Sequence, residues 1–161
     1  MVSLRLLVSG LVLVAPCFLP VFSVDGVPFS PMVLGDPHVY LRFLAVARML
    51  CVGVLVVGVS AVAVSLYYIS RGLQPPRDVA LTGFMAVFVA AMAALKAFAT
   101  AKPVVVDESY PAFTLHAVVE VKPLPTIALV PAAIALSASG ILSLMRASAQ
   151  ARGAHSNLYK E

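Results

Sequence analysis

Four apolar stretches, each long enough to cross a bilayer, constrain this chain more than any other feature. They cover residues 4–24, 42–69, 79–101 and 124–145. A helix rises about 1.5 Å per residue, so about 20 residues span roughly 30 Å of hydrocarbon. Lipid offers no partner to an open backbone, so each stretch is expected to be a helix that satisfies its own N–H and C=O groups. The rest of the composition agrees. Hydrophobic residues make up 61% and charged residues 11%, with a mean hydropathy of +1.02. Soluble chains carry about 25% charged residues, and a surface this poor in charge would not stay solvated. The expected fold class is an all-α membrane protein. It is a four-transmembrane-helix bundle forming a single integral domain over residues 1–161, with a small extracytoplasmic β-hairpin between helices three and four.

The first stretch also reads as a signal peptide, because Arg5 precedes an apolar LLVSGLVLVA run. The run continues past Pro16 and Pro20 to Val24, no A-x-A site follows, and Pro16 spoils the lipobox-like VAPC. An uncleaved first helix, bent in its outer half by the two prolines, is the preferred reading.

Charge placement sets the expected orientation. One side of a four-helix topology collects Arg5, Arg71, Arg77, Arg146, Arg152 and Lys160, with acids only at Asp78 and Glu161. The other collects Asp25, Asp36, Asp107, Glu108 and Glu120 with Lys102, Lys122 and Arg42. The cation-rich side is expected to be cytoplasmic. That gives a multi-pass cell-membrane protein with both termini cytoplasmic. Pro75 and Pro76 stop the second helix, and Asp78 is a candidate N-cap for the third. The polar tail, residues 147–161, is expected to be short and frayed.

The outer loop, residues 102–123, changes period. Phe113, Leu115, Ala117, Val119 and Val121 alternate with Thr114, His116, Glu120 and Lys122, interrupted by Val118. Period two means a strand with one buried side. Paired with residues 104–106 across a turn-rich DESYP segment, it reads as a hairpin. Residues 27–34 offer a third strand, confined to an edge by Pro28 and Pro31. Phe113, Leu115, Val119 and Val121 form a candidate partner-binding face.

Lipid supplies no hydrophobic force between helices, so packing relies on small residues that admit close approach. Three candidate stripes stand out. They contain Ala47, Cys51, Gly58 and Ala61 in helix two, Ala86, Ala90 and Ala97 in helix three, and Ala132, Ala135 and Ser139 in helix four. Helices two, three and four are expected to form the tight core, with helix one peripheral.

Chemistry is sparse. No Asp, Glu or His falls inside a helix, which argues against ion-coupled transport and against axial haem ligation. His38 with Asp36, and His116 with Asp107 or Glu108, are too few to build a metal site. There is no HExxH, CxxC or phosphate-cradling glycine loop, and Ser137 to Gly140 has no base beside it. Catalytic, cofactor-binding and metal residues are therefore all assigned as none, and no cofactor is expected. The charges are scattered rather than clustered, which excludes nucleic acid as a partner class. Arg48 and Lys96 lie inside helices two and three near their outer ends. Snorkelling to headgroups is the ordinary explanation, and contact with an anionic lipid or partner is the functional one.

The expected function is a non-catalytic small integral membrane subunit, or an assembly or scaffold protein, of a larger membrane complex. Its partners would be the lipid bilayer and either other membrane subunits or further copies of itself. The alternative is a small oligomeric channel or carrier for a neutral or apolar solute.

Overall fold

The structure is a computed structural model that describes residues 1–24, 27–30, 41–99, 104–110, 113–119 and 121–158. Four α-helices carry it: α1 Val2–Phe18, α2 Leu41–Ser70, α3 Arg77–Ala99 and α4 Leu129–Leu158. The segments Met49–Ser70, Arg77–Ala97 and Pro125–Gln150 are long and apolar enough to cross a membrane, and α1 is a shorter apolar helix.

Helix one stops earlier than its apolar run. It ends at Phe18, Leu19 adopts an extended backbone, and Pro16 sits inside the last turn. Pro20 explains the stop, since a residue preceding proline is pushed out of the α region. The remaining apolar residues form strand β1, Phe22–Val24. This pairs antiparallel with β2, Val27–Phe29, and with β5, Val121–Pro123. Two further bonds tie the same region to the start of the last helix. The Leu124 N–H donates to the Val21 carbonyl at 2.9 Å, and the Thr126 hydroxyl donates to the Pro20 carbonyl. A 3-10 turn over Pro125–Ala128 then leads into α4.

A second sheet pairs β3, Val104–Tyr110, with β4, Phe113–Val119. The register sets Val104 opposite Val119, Asp107 opposite His116 and Tyr110 opposite Phe113. The alternating run thus does not act as one strand. Its first part joins β3, and Val121–Pro123 joins β1 in the other sheet. Of the two prolines expected to confine the 27–34 segment to an edge, Pro31 lies outside the described residues. Pro28 lies in β2, at the edge of the three-stranded sheet.

The connection between α2 and α3 is a local motif. Gly72 has φ +65°, its N–H donates to the Ile69 carbonyl, and the Leu73 N–H donates to the Tyr68 carbonyl, each at 3.0 Å. This is a Schellman ending, and it requires the left-handed conformation glycine adopts without strain. The Ala80 N–H donates to the Pro76 carbonyl, so Pro76 rather than Asp78 precedes the first turn of α3. Asp78 sits inside that turn, where its charge complements the helix dipole. At the far end of the chain, α4 continues to Leu158. The polar tail expected to fray from residue 147 is helical as far as 158, consistent with its alanine-rich ASAQARGA sequence.

Candidate functional site

The buried residues follow one rule in all four helices. They are Ser3, Leu6, Gly10, Leu13 and Cys17 in α1, and Cys51, Val54, Gly58, Ala61 and Ser65 in α2. In α3 they are Ala80, Phe84, Val87, Ala91 and Ala94, and in α4 Val130, Ala133, Ser137 and Gly140. The spacing alternates between three and four, the signature of a left-handed bundle seam. Ser9 and Pro16 widen the buried face of α1. That helix packs on α2 and α4 and reaches α3 across the bundle. Helix one is therefore central, not peripheral.

The alanine stripes are corrected in the same way. Cys51, Gly58 and Ala61 of α2 are buried as expected. In α3, Ala86 is exposed while Ala90 and Ala97 are half-buried; in α4, Ala132, Ala135 and Ser139 are exposed. The seams of α3 and α4 run beside those residues. They mix sizes because each large side chain needs a small one opposite.

Glycines mark the closest approaches. A Cβ on Gly10 would lie 3.0 Å from the Gly58 carbonyl oxygen, and one on Gly58 would collide with Val14 Cγ2. A Cβ on Gly83 would lie 3.0 Å from Leu6 Cδ2, and one on Gly140 would lie 2.5 Å from Phe84 Cε1. Four helix glycines thus receive a neighbouring helix, whereas a Cβ on Gly53 would have no other helix within 4 Å. Without a large aqueous driving force, such contacts supply the dispersion energy that holds helices together.

Three of the buried hydroxyls stay within their own helices. Ser9 donates to the Leu6 carbonyl at 2.9 Å, Ser65 to Ala61 at 2.7 Å, and Ser137 to Ala133 at 2.7 Å. Each is satisfied by its own helix, as serine in an apolar helix commonly is. Among the described residues no buried side-chain nitrogen or oxygen lacks a partner, and no group of three metal-ligating side chains converges.

The two ends of the bundle differ. At one end Ser3 Oγ lies 3.5 Å from Gln74 Oε1. A cavity of about 630 Å³ there is bounded by Met1, Gln74, Arg77, Leu144 and Ser148. This end gathers Arg5, Arg71, Arg77 and Arg146. The Arg71 guanidinium stacks 4.7 Å from the centre of the Tyr67 ring, itself edge-on to Tyr68. At the opposite end lie the three-stranded sheet and the thiols Cys17 and Cys51, both free. Between α2 and α3, a groove of about 490 Å³ is lined by apolar side chains together with Ser60, Asp78 and Thr82.

Lys96 is exposed in the last turn of α3, where its charge suits the carbonyl end of the helix. Ala47 and Arg48 lie in the second turn of α2, but their side chains lie outside the described residues, as do those of Phe113, Leu115, Val119, Val121 and His116. His38 and Asp36 also lie outside them. No protein-family model matches the chain, nor does any curated protein or solved structure.

Proposed function

We propose that this protein is a non-catalytic subunit or scaffold of a larger membrane complex, in which all four helices cross the bilayer. Helix α1 is about 26 Å long at 1.5 Å per residue, and the extended residues after it make up the remaining hydrocarbon depth. The arginine-bearing end is cytoplasmic, and the two small sheets lie outside. Tyr67 and Tyr68 beside Arg71 are the residue types that anchor a helix at a headgroup boundary.

The observation that carries this reading is the sealed seam. Its centre is filled by Leu6, Leu13, Phe84, Val87 and Ala91, each 1% exposed or less, and Ser9, Ser65 and Ser137 turn back onto their own helices. A single bundle built this way favours packing over passage of a polar solute. The outer faces are broadly apolar, with Met49, Val56, Val89 and Met145 all exposed. They suit lipid or a neighbouring membrane helix equally well.

The alternative, a small oligomeric channel or carrier for a neutral or apolar solute, draws on the groove between α2 and α3. Ser60 and Thr82 there are the only hydroxyls among the groove's lining residues, and several copies could place them around an axis. Gentle detergent extraction followed by native mass spectrometry separates the two. Association with other chains at fixed stoichiometry is expected. A closed ring of this chain alone supports the channel, and a lone monomer across detergents contradicts both.

A further inference from the structure

The chain contains two cysteines, and the fold brings them together. Cys17 is the penultimate residue of α1 and 1% exposed; Cys51 lies on the α2 seam and is 3% exposed. The Cys17 thiol points at the Cys51 backbone, with Cys17 Sγ 3.8 Å from the Cys51 carbonyl oxygen. Both are free. Two turns away, Gly10 and Gly58 hold the same two helices at backbone contact. A disulfide between two helices needs backbones that approach this closely. Packing alone would be served by alanine, which fills equivalent seam positions at Ala61, Ala91 and Ala133.

We propose that Cys17 and Cys51 form a reversible dithiol–disulfide pair that fastens the end of α1 to α2. The oxidant is an external disulfide, either a small molecule or a thiol–disulfide exchange protein. One cysteine thiolate attacks a sulfur of that disulfide and expels its first thiol. The second cysteine then attacks the mixed disulfide and expels the other thiol. The two protein thiols lose two electrons and two protons, and the external disulfide takes them up as two thiols. Access comes through the last turn of α1, where Phe18 is 53% exposed and Leu19 has already left the helix. Helix ends open more readily than helix middles. The bond closes a loop that contains β1, β2 and the start of α2. Exposure to an oxidising compartment, where such bonds persist, rests on the orientation proposed above. The closure itself does not.

The test uses the full-length protein in mild detergent, treated with a dipyridyl disulfide, then unfolded, alkylated with a maleimide and weighed intact. Loss of about 2 Da without any adduct, reversed by dithiothreitol, is the expected result. Cys17→Ser and Cys51→Ser should each instead retain one pyridyl or maleimide adduct. Two adducts on the folded wild-type chain, under conditions in which the unfolded chain closes, would overturn the proposal. Alkylation in intact cells before lysis separates the two readings. A pair that closes in detergent yet is fully reduced in cells leaves the dithiol standing and counts against the outward orientation.

Discussion

Phe84 of α3 seats its ring against the bare backbone of Gly140 in α4, so closely that a Cβ at Gly140 would lie 2.5 Å from Cε1 and 2.6 Å from Cζ. Phe84 is 1% exposed. In a soluble core, removing such a ring costs about 3–5 kcal/mol. In lipid the transfer contribution largely vanishes because the solvent is itself apolar, and the packing and cavity contributions remain. Phe84→Ala should therefore cost roughly 1–3 kcal/mol. Gly140→Ala should cost a similar amount by overpacking. The two are in contact, so the double variant should be more stable than the sum of the two losses implies. Melting in detergent for the wild type, both singles and the double provides the check. Simple additivity would mean the ring does not rest on Gly140.

The crossing of α1 and α2 yields a sharper contrast. Gly10→Leu or Gly58→Leu must push two backbones apart, since the Gly58 carbonyl and Val14 stand in the way. Ala86→Leu and Ala135→Leu place the same side chain at exposed positions, which lipid accommodates. Either glycine variant should lose several degrees of melting temperature or fail to accumulate. The alanine variants should stay within about 0.5 kcal/mol of wild type. Equal losses in all four would remove α1 from the core.

That contrast also locates what the sequence displays and what it hides. The α2 seam was legible because Cys51, Gly58, Ala61 and Ser65 are small and fall at the right spacing. The α3 and α4 seams were not, because alanine is abundant in both helices and abundance says nothing about direction. Their buried lines include Phe84, Val87 and Val130, which look lipid-facing when small size is the criterion. Helix α1 hides its seam for the same reason, since Leu6 and Leu13 disguise a regular three-four spacing. The better signal was the glycines. A glycine inside a helix weakens it by about 1 kcal/mol against alanine, and Gly10, Gly58, Gly83 and Gly140 each repay that with a contact. Strand β1 was hidden because apolar character runs unbroken through Pro20, although the proline itself marks the break.

The proposed partner-binding face on β4 makes a prediction about assembly. Leu115→Asp places a charge on the apolar side of the alternating run, whereas His116→Ala changes the other side. If that face meets another subunit, Leu115→Asp should leave the chain's melting temperature unchanged and release it from its complex. His116→Ala should do neither, staying within about 0.5 kcal/mol. Size-exclusion mass and melting temperature are the two readouts. If Leu115→Asp instead destabilises the isolated chain, the face covers this protein's own helix tops. No effect on either readout would deprive the subunit reading of its outer docking site.

Side-specific labelling shows whether the bundle crosses the membrane with its arginine end inside, as proposed. In a Cys17→Ala, Cys51→Ala background, single cysteines replace Leu4 or Leu73, both exposed, or Ser109 or Ser156, and intact cells are treated with a membrane-impermeant thiol reagent. Labelling from outside at Ser109 alone is expected, with the other three reacting only after permeabilisation. Labelling at positions 4, 73 and 156 with protection at 109 would invert the topology. Labelling at 4 but not at 156 would show that the four helices do not all cross.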